Sequence, residues 1–366
     1  MLQPHNLHPY QQRAVMHQCA MPHTMLWLDP GLGKTAVTLT SIVHLINQAW
    51  LKGVLIIAPL RVCRLVWARE SQKWSHTAHL KVSMVCGTND QRIRALMRPA
   101  DIYLMNYENL HWLAGILETY YIKKGIPLPF DGLVWDEVSK MKESSTKRVK
   151  AFKPLLDSFK WRTGLTGTPA SNGLKDLFGQ FLMVDGGQRL GIHKTPFINK
   201  FFTSIPQAHK LIPHADAEVS IKSLIHDITL EMSAAEYLTL PECTVNDIMV
   251  ELPPEARARY DQLEKDYFTQ LDSQSEIEVF NSAALTNKLL QFSNGCVYPI
   301  GGVPIWEPVH DAKLDALDDL LEELNGKPLL LAYAYRSDAE RIMTRFKSLR
   351  PINLTDCKSE ASLKAA

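Results

Sequence analysis

The stretch LWLDPGLGKT, residues 26–35, ends in Gly33-Lys34-Thr35 and departs from the strict phosphate-loop pattern G-x-x-x-x-G-K-[ST] at Leu28, where the first glycine belongs. Backbone N–H groups of Gly31, Leu32, Gly33, Lys34 and Thr35 can wrap a phosphate, with the positive end of the following helix behind them. Lys34 would reach the β- and γ-phosphates, and the Thr35 hydroxyl would ligate Mg²⁺. Pro30 has no N–H, so the cradle must start at Gly31. A Gly-rich turn with an exposed lysine is the competing reading. The helix that begins within GKT favours the phosphate site. Asp136-Glu137 follows the apolar run GLVW about one hundred residues downstream. An acid at a strand end can hold Mg²⁺ through water, and the next acid can orient and deprotonate an attacking water. Alone such a pair is an ordinary solvated turn; its weight comes from the loop before it. The stretch LTGTPASN, residues 165–172, adds the hydroxyls of Thr166 and Thr168 around Gly167. Without the other two pieces it reads as a plain turn.

These groups meet only if particular elements carry them. Strands are expected at MLWL (25–28), VLIIAP (54–59), KVSMVCG (81–87), DIYLMN (101–106), DGLVWDE (131–137) and RTGLTGTP (162–169). Helical spacing fills the intervals, notably 34–50, 61–74 and 89–97, the last with Asn89 or Asp90 as its N-cap. Continuous apolar strands alternating with helices argue a doubly wound parallel sheet, whose ligands sit at the C-terminal strand ends. After about 186 the texture is loop-rich, with helices expected at 218–238 and 254–292. A Gly/Pro-rich stretch at 293–308 reads as a linker or hairpin. Strand–helix texture then resumes: an amphipathic helix closed by Asn325-Gly326, a buried strand at 327–334, and a helix at 337–349.

Composition bounds the class. Hydrophobic residues are 46% and charged residues 22%, as in ordinary globular chains. No apolar run approaches the roughly 18–20 residues of a membrane span, and the polar N-terminus MLQPHNLHPYQQ lacks the layout of a signal peptide. The six cysteines are scattered without zinc spacing, as expected for reduced thiols in a cytoplasmic, intracellular protein. Net charge is +1, so contact with nucleic acid must use local patches. The densest basic stretch is Lys140, Lys142, Lys147, Arg148, Lys150, Lys153, Lys160 and Arg162. A solvated helix face explains most of it. Trp67, Trp74 and Trp112 fit helix packing better than base stacking.

In this order, DPGLGKT, DEVSKMK and LTGTPASN resemble the motifs of the helicase-like ATPases of superfamily two, and within them the Swi/Snf family. APLRVCRLVWARE is similar to the segment that follows the first motif, and NYENL (106–110) to a strand-end motif that contacts DNA. LHPYQ (7–11) resembles the opening L-x-P-Y-Q, which implies that Gln11 recognises adenine. The resemblance implies an α/β, RecA-like phosphate-loop fold over residues 1–185, a helical insert and linker over 186–308, and the start of a second RecA-like lobe over 309–366. It implies ATP and Mg²⁺ as cofactors, and duplex DNA bound without sequence preference as partner. Lys34, Asp136 and Glu137 are then the catalytic residues, with Thr35 and Asp136 on the metal. Thr166, Gly167 and Thr168 couple the nucleotide to movement, and Asn106, Tyr107, Lys140 and Lys142 are candidate DNA contacts.

The sequence departs from the family pattern at two places. Ser139 stands where the DE-x-H motif has histidine, and Val138 replaces its alanine. A second lobe needs about 120–150 residues, and no glutamine follows Gln291, so the motif Q-x-x-x-R-x-x-R with its arginine finger is not in this chain. The expectation is a DNA-dependent ATPase or translocase whose hydrolysis is slow alone. The alternative is a non-hydrolysing, ATP-gated DNA-binding module, or a fragment completed by a separate chain. A small-molecule kinase is disfavoured because it would not need the acid pair and LTGTPASN together. A nuclease lacks its acidic cluster.

Overall fold

The computed structural model describes residues 1–205, 210–239, 244–271, 278–299 and 305–357. They form two compact units, Met1–Pro241 and Glu242–Ala366.

The first unit is built on seven strands, all paired in parallel. Six of them are β1 (His23–Leu28), β2 (Val54–Ala58), β3 (Val82–Met84), β4 (Ile102–Asn106), β5 (Gly132–Asp136) and β6 (Trp161–Thr166). A separate antiparallel hairpin follows, β7 (Phe202–Ile205) with β8 (Lys210–Pro213). The seventh sheet strand is β9 (Thr229–Met232), and the spatial order is β3-β4-β2-β5-β6-β1-β9. Because strand side chains alternate, one set (Trp27, Ile57, Met105, Trp135) enters one core cluster. The other set (Leu28, Ile56, Leu104, Val134) enters a second cluster on the opposite face. Both faces are therefore dry, which is why these strands read as unbroken apolar runs.

Three helical expectations change. Residues 218–238 are not one helix: they form a helix (Ala217–Ile225), strand β9 and a short helix (Ala234–Tyr237). The pairing Met25↔Thr229 to Leu28↔Met232 overrides the local helical spacing, and it carries the first unit past 185 to Pro241. The helix Asn89–Met97 is capped by Thr88, whose hydroxyl accepts from the Gln91 amide (3.4 Å) while Gln91 returns a bond to the Thr88 N–H (2.9 Å). The region 61–74 runs Leu60–Val62, a π-helical turn Cys63–Trp67, then Ala68–Lys73.

A buried polar hub joins the elements behind the phosphate loop. Gln18 Nε2 donates to Thr38 (3.2 Å) and Thr163 (3.0 Å), Thr24 donates to Thr163 (2.9 Å), and Ser41 donates to Gln18 Oε1 (2.8 Å). Gln18→Leu strips partners from several buried hydroxyls at once, at about 3 kcal/mol. A fall in Tm of about 6–12 °C in a thermal melt is the expected result for a unit of this size. A fall under about 2 °C would show the hub to be dispensable.

The second unit holds helices Pro254–Leu271, Glu278–Ser293, Ala312–Leu324 and Arg336–Arg345. The 293–308 stretch contains a two-residue antiparallel pairing, Cys296–Val297 with Glu307–Pro308; its residues 300–304 lie outside the described residues. Asn325 closes Ala312–Leu324 in the left-handed conformation (φ 46°), as its Asn-Gly pair leads one to expect. The expected strand at 327–334 is a correction. Its backbone pairs with no strand among the described residues, and a strand needs a ladder partner. Leu330 is 85% exposed. Beside it, Leu317, Leu321, Leu331, Ile342 and Phe346 line an open apolar groove of about 490 Å³.

Candidate functional site

The C-terminal ends of β5, β6 and β1 lie side by side, because those three strands are consecutive neighbours in the sheet. That adjacency brings the loops after Leu28, Asp136 and Thr166 to one edge. Gly31 and Gly33 take φ of 90° and 80°, a region costly for any residue with a Cβ. Gly33 is also the residue from which the helix Lys34–Asn47 starts, so Lys34 and Thr35 open that helix. Pro30 is pressed against the loop after β6, where a Cβ on Gly167 would lie 3.0 Å from the Pro30 ring. Thr166 is fully buried, and its hydroxyl accepts from the Thr168 amide at 3.1 Å.

Lys34 Nζ donates to the Leu28 (2.6 Å) and Asp29 (3.3 Å) carbonyls at the mouth of the loop. Burial lowers the pKa of its ammonium, and the nearby negative charges of Glu137, Asp136 and Asp29 act in the opposite direction. Gln11 lies against the same loop: Nε2 donates to the Leu32 carbonyl (3.2 Å) and Oε1 accepts from the His8 amide (2.9 Å). Tyr10 packs on Tyr237 (ring centroids 4.8 Å apart), and Arg13 donates to the Tyr237 hydroxyl (3.0 Å). The segment after β9 also grips the loop, with the Ala234 amide donating to Asp29 Oδ2 at 2.8 Å. Sequence reasoning missed Tyr237, 226 positions from Gln11, because nothing local links the two.

Asp136 is 7% exposed, and burial pushes its carboxyl up to about 6 despite the hydrogen bond from Trp67. That bond runs from Trp67 Nε1 to Asp136 Oδ2 at 2.7 Å. Trp67 packs in the core as its spacing implies, and in addition it touches the acid pair. Glu137 adopts φ 59°, ψ 56°, the left-handed region, which is strained for a residue with a Cβ. Its carbonyl is held by the Lys140 amide (3.0 Å) and, with that of Asp136, by the Tyr107 hydroxyl (3.2 and 2.8 Å).

The four candidate DNA contacts separate. Tyr107 is 1% exposed and spends its hydroxyl on the acid pair, so burial removes its side chain from any external contact. Asn106 is buried and bonded to Glu108, Asn109 and Cys86. Lys142 pairs with buried Asp176 (3.3 Å) and donates to Ser171 (3.3 Å), which ties the acid-pair loop to LTGTPASN. Lys140 alone of the four is exposed. Farther along the basic stretch, Arg162 is buried and donates to the carbonyls of Leu156, Val184 and Phe159, a structural role.

Among the described residues no helix is long and apolar enough to cross a membrane, and no group of three or more His, Cys, Asp or Glu is arranged to hold a metal ion.

Comparison with known proteins agrees with this architecture. A putative protein p41 from Acyrthosiphon pisum secondary endosymbiont phage 1 is 36% identical over 365 residues, covering 95% of this chain and 77% of its own. The chromatin-remodeling factor PICKLE of Arabidopsis thaliana is 23% identical over 366 residues; 88% of this chain matches 24% of that one. The DNA excision repair protein ERCC-6-like of Mus musculus is 29% identical over 175 residues, 46% of this chain and 13% of its length. This chain thus spans a small part of both large relatives. Among solved structures, the Sulfolobus solfataricus SWI2/SNF2 ATPase core in complex with dsDNA superposes with a TM-score of 0.51 at 25% identity, over 87% of this chain and 64% of that one. The SNF2-related domain model matches residues 10–297. With that match over most of its length, the chain belongs to the Swi/Snf family of helicase-like ATPases.

Proposed function

We propose that this chain binds ATP–Mg²⁺ on its first unit and is a DNA-dependent ATPase of the translocase type. The observation that carries the reading is the meeting, at one sheet edge, of a left-handed Gly31/Gly33 loop, the ammonium of Lys34 and the acid pair Asp136-Glu137. The donor set suits Mg²⁺: a Thr35 hydroxyl and an Asp136 carboxylate are hard oxygens that leave room for water and phosphate. The bound metal would neutralise charge developing on the phosphates. Amides of Gly31 to Thr35 cradle the phosphates, and Lys34 leaves the loop carbonyls to meet them. Gln11 retains a second N–H for adenine, beside the Tyr10–Tyr237 pair. Glu137 orients the attacking water, and Thr166, Gly167 and Thr168 relay the state of the loop through Pro30. Residues 1–185, with the β9 segment and Tyr237 beside the loop, carry this nucleotide machinery; the rest of 186–308 acts as insert and linker, and 309–366 begin a second lobe. Duplex DNA, the ligand of the Sulfolobus core, is the partner, met through exposed cations such as Lys140, Lys147 and Lys150.

The 366 residues contain no Q-x-x-x-R-x-x-R. An arginine finger is worth roughly 10³–10⁵ in rate. ATP turnover by this chain with duplex DNA is therefore expected to be slow, and to rise by about 10³ or more when a polypeptide carrying that motif is added. Fast DNA-stimulated turnover by the pure chain in a phosphate-release assay would overturn the dependence on the finger. Absence of nucleotide binding would overturn the whole reading. A second reading is a non-hydrolysing ATP-gated DNA-binding module, or a fragment completed by a separate chain; the unpaired and exposed Leu330 segment favours the completed fragment. A partner strand supplied by further polypeptide would cover that segment. A chain that binds duplex DNA in an ATP-dependent way yet gains no turnover from the added lobe would support the non-hydrolysing module.

A further inference from the structure

Two side chains brace the acid pair, and only one of them touches a carboxylate. Tyr107 holds backbone carbonyls, whereas the indole of Trp67 reaches Asp136 Oδ2 at 2.7 Å. The ring is 1% exposed, so water does not compete for that carboxylate oxygen from the Trp67 side. The terminal torsion of an aspartate is broad and roughly two-fold, so a carboxylate with no fixed donor samples a range of orientations. The Glu137 backbone amide also acts on the Asp136 carboxylate, and the Trp67 indole is the side-chain donor that restricts it further. Trp67 also closes a π-helical turn, Cys63–Trp67, lodged between two α-helical pieces. Such a turn inserts one extra residue into the helix and so changes the direction in which later side chains point. The same turn is anchored on the sheet, where the Cys63 thiol donates to the carbonyls of Ala58 (3.5 Å) and Met105 (3.4 Å). A tryptophan needed only for packing gains nothing from this detour, since its ring already lies in a continuous apolar cluster.

We infer that Trp67 is a positioning residue for the metal: its indole N–H holds the Asp136 carboxylate in the orientation that receives Mg²⁺. The inference rests on the proposed metal role of Asp136. The indole and the Glu137 amide together occupy at most two of the carboxylate's roughly four lone-pair sites. The remaining sites stay available to the ion and its water. The effect should appear as coupling between Mg²⁺ and nucleotide and not as loss of nucleotide binding, because the Trp67 indole N–H is spent on Asp136 whereas Lys34 bonds to the Leu28 and Asp29 carbonyls.

The test is equilibrium binding of a fluorescent, non-hydrolysable ATP analogue to the full chain, with excess EDTA and with saturating Mg²⁺. The readout is the ratio of the two affinities. Trp67→Phe removes the donor and keeps an aromatic ring. Site-specific replacement of Trp67 by benzothienylalanine removes the same N–H with the bicyclic shape retained, and so covers a failure of the phenylalanine variant to fold. The expected result is a metal-dependent gain about five- to tenfold smaller than in the parent chain, with the affinity in EDTA unchanged. A gain that is lost in Asp136→Ala but kept in full by the folded position-67 variants overturns the inference alone. A gain that survives Asp136→Ala overturns the metal assignment, and the inference with it.

Discussion

Lys34→Ala is expected to weaken ATP binding by about 100-fold, read by calorimetric or fluorescent-nucleotide titration. Hydrogen bonds to charged groups contribute about 1.5–3 kcal/mol each, and about 1.4 kcal/mol is a factor of ten. Lys34 would make at least one such bond to a multiply charged phosphate in a half-buried setting. Part of that gain is offset in advance. The free protein already satisfies the ammonium with the Leu28 and Asp29 carbonyls, and binding must exchange those bonds for phosphate oxygens. The exchange favours phosphate because a carbonyl carries only a partial charge. The fold should survive the change, since Gly31 and Gly33 shape the loop and the helix behind it is buried independently of Lys34. A variant with the parent's affinity would remove Lys34 from the site.

Gly179→Ala is expected to destabilise the first unit by about 1–2 kcal/mol, although alanine is the better helix former. Gly179 lies in the helix Asp176–Asp185, and propensity alone predicts a gain of about 0.8–1 kcal/mol from the exchange. A Cβ at this position would fall 2.3 Å from the Lys142 carbonyl oxygen and 2.5 Å from that of Met141. Those are backbone atoms and have no rotamer by which to move aside. Overpacking of this kind costs about 1–3 kcal/mol or more, so the contact outweighs the propensity. The helix would retreat from the turn that follows Glu137 and stretch the Lys142–Asp176 ion pair. A Tm that drops by several degrees, with weaker nucleotide binding, is the expected pattern. A Tm equal to or above the parent's would show that the turn yields freely.

Gly179 also marks a limit of sequence reasoning. Nothing within ten residues of it announces that a backbone carbonyl lies against its Cα; the close approach exists because β5 and β6 are neighbours and their following segments pack. The same holds for β9. Thr229–Met232 carries weak local strand character within helical spacing, yet four residues of parallel pairing with β1 decide its conformation. Long-range pairing beats local propensity wherever a ladder partner is waiting. At 327–334 the balance tips the other way: the residues favour a strand, and the described chain offers no partner.

Candidate site residues divide along the same line. The loop Gly31–Thr35 is legible from residue types; the acid pair and LTGTPASN gain weight only beside it and from the family resemblance. Left-handed backbone needs glycine, phosphate needs a cation and free amides, and a hard metal needs carboxylate or hydroxyl oxygen; each requirement is met within a few consecutive residues. The same was true of the parallel sheet, because burial on both faces leaves apolar runs that a single strand displays. The resemblance makes Tyr107 a candidate DNA contact and the basic stretch makes Lys142 one; the structure spends the Tyr107 hydroxyl on the acid-pair carbonyls and pairs Lys142 with buried Asp176. The spacing of Trp67 implies packing, and its indole is also a donor to a carboxylate 69 positions away. Which buried group meets which cannot be written in local spacing, since it depends on strand order, on a π-helical turn and on the phase of each helix. The chemistry of this protein is a property of short segments; the partners that aim that chemistry come from the folded chain.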